Sequence, residues 1–169
     1  MENLHVSDNK RYLMKGSETF FWLADTGWLI FGNISEEEAY NYLKNRADKG
    51  FNVIQAVLVY STKELESVNK MYWGGADRIN DEEYWQHVER IIKMADKLGL
   101  YMALLPSWGS LLKNNLITSE NVLVYGRFLA ERLEKYSNII WVLGGDIKAD
   151  NYVEIYRKLG RYFKEKNAR

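Results

Sequence analysis

A chain of 169 residues with 23 basic and 23 acidic side chains has no net field to attract a polyanion, so nucleic acid is not an expected partner. Its length and 47% apolar content suit a single folded domain, residues 1–169, and exclude a disordered or fibrous chain. The absence of cysteine removes disulfides, thiolate catalysis and cysteine-held zinc, and no apolar run approaches the roughly 20 residues of a membrane span.

The chain opens with "MENLHVSDNK", which lacks the apolar core of a signal peptide. As written it is expected in the cytoplasm, or outside it if a leader has been removed. Residues 1–19, including "LHVSDNKRYLMKGS", form an arm expected to fold as a small β hairpin. A first apolar run, Phe20 to Ala24, reads as a strand and leads into "LADTGW". Next, "SEEE" opens a helix: Ser35 can cap it while Glu38 reaches back as a capping box, and Gly50 of "DKG" supplies the stop.

The second run, Phe51 to Tyr60, is near-continuously apolar and β-branched, the pattern of a strand covered on both faces. From Asp81 to Leu98 a helical stripe of Tyr84, Val88, Ile91, Ile92 and Ala95 follows, stopped by Gly99. His5, in the arm, and His87, at the edge of this stripe, read as surface or boundary residues, and no metal or other cofactor is expected. Leu100 to Pro106 and Ile139 to Leu143 are further strands. The helices after them are marked by Val122, Tyr125, Leu129 and Leu133, and by Tyr152, Tyr156, Leu159 and Phe163.

Strand and helix thus alternate four times, which predicts a parallel sheet with helical crossovers. A complete (β/α)8 barrel takes eight strands and usually about 250 residues, so length leaves an open doubly wound sheet or half a barrel. In either, ligands gather at the carboxyl ends of the strands. Those ends read "LADTGW", "LVYS", "LLPSWG" and "VLGGD".

Asp146, behind two glycines, presents a carboxylate at the rim or caps the segment that follows. Asp25 binds substrate or hydrogen-bonds its own turn. Trp28, Tyr60, Trp73 and Trp108 are placed where the apolar face of a sugar could stack, or where rings plug the end of a sheet. Trp22 and Trp141 read as core. Neither Gly74-Gly75 nor Gly144-Gly145 makes a phosphate cradle.

Taken together, "FFWLADTGWLIF", "YLKNRADKGFNVIQAVL", "YWQHVERIIKMADKLGLYMALLPSWG" and "YGRFLAERLEKYSNIIWVLGGD" resemble, in order, the N-terminal half of the apiosidase-like glycoside hydrolases. The resemblance runs from about Arg11 to Asp146. It implies a (β/α)8 barrel acting on side chains of plant polysaccharides, with Asp146 as general acid/base. Asp25 and Trp28 match a D-T-A-W-like motif with Gly27 in place of alanine, and Gln55 and Trp108 also match positions lining that end of the barrel. It further implies a nucleophilic glutamate from the second half of the barrel, which has no counterpart among these residues, and the segment after the second strand departs from the family's usual loop.

A retaining glycosidase needs two carboxyl groups about 5–5.5 Å apart. The chain is therefore expected to form a half or truncated (β/α)8 barrel, an α/β fold of parallel βα repeats with a short N-terminal β arm. It is expected to resemble a glycoside hydrolase and to be incomplete or weakly active by itself. A C-terminal half-barrel or a second copy of the chain would cover its sheet edges. In a homodimer, Asp25 of one copy would approach Asp146 of the other, and the tip "PSWG" would bring no carboxylate. The alternatives are a non-catalytic carbohydrate-binding module and a self-associating scaffold without a ligand.

Overall fold

The computed structural model describes residues 1–32, 34–59 and 81–167. The arm is a three-stranded antiparallel sheet, β1 (Leu4–Val6), β2 (Leu13–Lys15) and β3 (Glu18–Phe20). A parallel sheet follows, ordered β4 (Ala24–Thr26), β5 (Val53–Val57), β6 (Tyr101–Leu105) and β7 (Ile139–Trp141). Its helices are α1 (Glu36–Asp48), α2 (Glu82–Lys97), the short α3 (Gly109–Lys113), α4 (Val122–Leu133) and α5 (Val153–Asn167). None of the described helices is long and apolar enough to cross a membrane.

The first apolar run does not become one strand. Phe20 ends β3, paired with Leu13, and the parallel sheet begins only at Ala24. Between them Phe21 is 76% exposed and Trp22, expected in the core, is exposed as well. The chain must leave an antiparallel sheet and enter a parallel one here, so its backbone needs side-chain partners. Asn52 supplies them, donating to the Phe21 carbonyl at 2.7 Å and accepting from the Leu23 N–H at 3.0 Å. Trp141 does pack as expected, stacked on Phe163 with centroids 4.1 Å apart.

The helix signals in the sequence are realised. Ser35 and Glu38 form the reciprocal capping box of α1, Asp81 caps α2, and Gly50 and Gly99 follow these helices with positive φ. The main core lies between the sheet and the helices, with Ile54, Ala56, Met102 and Leu104 on the strand side. Trp85 of α2 is fully buried there, in edge contact with Tyr84 and with Phe128 of α4.

On the other face Val53, Tyr101 and Ala103 pack with Ala24, Ile140 and the arm residues Met1, Leu4 and Phe20. The arm therefore plugs the amino ends of the strands. Its first amine bonds Ser137 at 2.7 Å and Asp96 at 3.3 Å. The carboxyl ends are left for a site.

A polar cluster ties α2 to α4. Arg132 forks onto Glu82 and also donates to Glu89, which accepts from Tyr136 at 2.6 Å and pairs with Lys135 at 2.7 Å. Burial pushes the Glu89 carboxyl up, but the bonds from Lys135 and Tyr136 and the charges of Lys135 and Arg132 outweigh it and hold it below 4.5. His87, in the sequence a boundary residue, is only 9% exposed, and burial with the nearby Arg90 charge pushes it below 6.5.

Both groups bind a proton more readily unfolded than folded, so each stabilises the fold above its ordinary value and less as acid titrates it. Thermal unfolding followed across pH is expected to show stability falling below about pH 6.5 and again below about 4.5. Glu89→Gln should reduce the second step, to which the lowered Asp25 and Glu82 carboxyls also contribute, and an unchanged profile would contradict the role of Glu89.

Candidate active site

Parallel pairing fixes which residues share a level of the sheet. Thr26 stands opposite Gln55, Gln55 opposite Ala103, and Ala103 opposite Ile140. Since Ala24 and Ala103 belong to the cluster away from the helices, alternation puts Thr26 and Gln55 on that inner face too. Pairing continues past β4: the Gly27 N–H donates to the Gln55 carbonyl at 2.9 Å and the Val57 N–H to the Trp28 carbonyl at 3.1 Å. Trp28 is thereby delivered to the rim.

The end of β6 is anchored from behind. Tyr125 of α4, fully buried, donates its hydroxyl to the Pro106 carbonyl at 2.6 Å. Trp108, with extended φ −86° and ψ 157°, then turns the chain into α3. Its ring lies 5.2 Å from that of Trp28, tilted by 58°. Both rings are half-buried, so two aromatic surfaces from different strands meet at one end of the sheet.

The loop after β7 locks onto this pair. Gly144 has φ +132°, which turns the strand end sharply. Gly145 lies so close that a Cβ there would sit 3.3 Å from the Gly109 nitrogen and 3.9 Å from Cε3 of Trp108. A Cβ on Gly109 would in turn meet the Ile147 side chain at 2.7 Å. Asp146, between the two residues that make this contact, is exposed at the rim.

Gln55 on the inner face and the Trp28–Trp108 ring pair thus share the carboxyl end of the sheet, and Asp146 lies on the loop that packs against Trp108. Asp25 does not join them. The sequence places it beyond the strand, whereas it lies inside β4, opposite Ile54 of the helix-side core. Its carboxylate accepts from the Tyr42 hydroxyl at 3.0 Å, from Arg46 of α1, and from the Thr26 N–H at 2.9 Å. Burial opposes ionisation, but these donors outweigh it and lower the Asp25 pKa. Tyr60 and Trp73 lie outside the described residues.

Thr26 is the inner-face residue the sequence reading missed. Strand alternation would have found it once Asp25 was placed within a strand instead of a turn. Among the described residues no three His, Asp or Glu side chains gather to hold a metal ion.

A family model described as the catalytic domain of apiosidase-like proteins matches residues 7–169, beyond the stretch that carries the quoted motifs. A solved structure described as a glycoside hydrolase is 33% identical with a TM-score of 0.85, over 99% of this chain and 39% of that one. A family 5 glycoside hydrolase from Bacteroides vulgatus is 31% identical with a TM-score of 0.84, over 98% of this chain and 38% of that one. An endo-1,4-beta-mannanase from Rhizomucor miehei, at 9% identity and a TM-score of 0.69 over 99% of this chain and 58% of that one, shares the fold. No curated protein matches the chain. With the parallel sheet and its helices, these likenesses make the fold a truncated (β/α)8 barrel, as the family resemblance implies, and decide against the open doubly wound sheet that alternation and length also left.

Proposed function

Because the chain belongs to the apiosidase-like catalytic domain family, we propose that it supplies the acid/base half of a glycoside hydrolase site acting on side chains of plant polysaccharides. The observation that carries this reading is the packing of Gly145 against Trp108 and Gly109, which brings the loop bearing Asp146 onto one member of the Trp28–Trp108 ring pair. A sugar laid with its C–H face on the rings would offer its glycosidic oxygen to the carboxyl group. Asp146 would protonate the leaving oxygen and later take a proton from the attacking water. Gln55, on the floor of the same face, would hold a sugar hydroxyl.

Two-step hydrolysis needs a second carboxylate as nucleophile. The chain spans 39% and 38% of two relatives above 30% identity, and β4 and β7 end the sheet among the described residues. We assign the nucleophile to a second half-barrel joining these edges; another copy of this chain would supply strands there but, with "PSWG" at the matching tip, no nucleophile.

Titration calorimetry of the chain with plant side-chain oligosaccharides tests the reading. Binding is expected, weakened about tenfold or more by Trp28→Ala or Trp108→Ala, equivalent to ~1.4 kcal/mol each. No heat from any oligosaccharide with the folded chain would sink it. Binding by a completed barrel that never hydrolyses would instead favour the non-catalytic module.

A further inference from the structure

We infer that Thr26, not Asp25, is the polar residue of the "DTGW" stretch that touches a bound sugar, beside the Trp28 ring, and that Asp25 is a positioning residue that holds this stretch in place. The inference rests on the carbohydrate reading of the site.

The three-residue strand β4 sends consecutive side chains to opposite faces. Asp25 goes to the helix side, where Tyr42 and Arg46 occupy one carboxylate oxygen and the Thr26 N–H the other. A carboxylate with those donors has little left to offer a ligand across the sheet. The exposed Thr26 goes to the face that carries Gln55, directly opposite it, and Trp28 continues that edge toward the rim.

Hydroxyl and carboxamide side by side present both donors and acceptors, the set that recognises neighbouring sugar hydroxyls. The next positions on the level, Ala103 and Ile140, are apolar, so polar recognition concentrates at the β4–β5 side.

The anchoring role has its own geometry. Tyr42 bonds Asp25 and also packs at Gly27, where a Cβ would meet its ring at 3.2 Å and Ile54 at 3.3 Å. Gly27 precedes Trp28, so the helix-side contact of Asp25 sets where the Trp28 ring meets Trp108.

Two readouts separate the roles. Thr26→Val replaces the hydroxyl with a methyl of similar size, and is expected to weaken oligosaccharide binding about three- to tenfold, the loss of one neutral hydrogen bond, at unchanged melting temperature. Thr26→Ser should bind like the parent. Asp25→Asn should lower the melting temperature and diminish the near-ultraviolet circular dichroism that Trp28→Phe removes.

The inference is overturned if Thr26→Val binds like the parent, or if Asp25→Asn loses binding while keeping the Trp28 signal and melting temperature. If the parent binds no sugar, the carbohydrate reading fails and Thr26's role with it. The dichroism then still upholds or refutes the positioning role of Asp25.

Discussion

Asp146→Asn, in the barrel completed by its second half, is expected to slow hydrolysis of an unactivated glycoside by about 10²–10⁴-fold, the usual contribution of a positioned general acid/base. Asn has nearly the same shape, and Asp146 is exposed, so the contact of Gly145 with Gly109 should survive and the melting temperature should not move. The loss depends on the leaving group. An aryl glycoside with an acidic phenol needs little protonation, so its first step should be spared while the second, which needs a base for water, stays slow. Azide, a nucleophile that requires no base, should then restore turnover. Steady-state kinetics on the two substrates, with and without azide, checks this. Equal losses on both and no azide response would remove Asp146 from the chemistry.

Trp85→Ala is expected to have the largest effect on stability. The ring is fully buried, touches Tyr84 at 5.3 Å and Phe128 at 5.0 Å, and so joins α2 to α4. Removing a buried aromatic typically costs about 3–5 kcal/mol, a large share of the roughly 5–15 kcal/mol that holds a domain. At about 2–4 °C per kcal/mol for a chain of this size, the melting temperature should fall by roughly 6–20 °C. Trp22→Ala is the comparison, because that ring is 38% exposed and meets Phe20 edge-on at 6.5 Å, so its loss should cost a clearly smaller shift. A shift for Trp85→Ala as small as that of Trp22→Ala would mean that α2 is held elsewhere.

The contrast between these two tryptophans shows what the sequence makes legible. β5 and β6 are buried on both faces, so their near-continuous apolar pattern follows directly from their place in the sheet. The run from Phe20 to Ala24 looks the same but has two causes: Phe20 plugs the amino end with the arm, and Ala24 begins the parallel sheet. Composition cannot separate them; only the position of the crossing, pinned by Asn52, can. β7 reads as covered on both faces but is half-buried throughout, because it ends the sheet among the described residues. α3, at five residues, is too short for a helical period to register.

In the candidate site, Trp28, Trp108 and Asp146 could be assigned to the carboxyl end from the sequence because each follows an apolar run, which fixes the end of the sheet to which it belongs. The faces were not. Asp25 read as a turn residue conceals the alternation that separates it from Thr26, and its partners Tyr42 and Arg46 lie on a helix whose pattern announces only its core side. Nor does spacing reveal that the two loops bearing Trp108 and Asp146 touch.

That contact has an evolutionary consequence. At Gly109 and Gly145 each loop occupies the space a side chain on the other would need. A Cβ at Gly109 forces the Ile147 side chain to shift and one at Gly145 presses on the Gly109 backbone, so a substitution in either glycine strains the neighbouring loop that carries the ring or the acid. The two segments are therefore expected to vary together, a change in one calling for a compensating change in the other, and a grafting experiment that seeks a new specificity should transplant both.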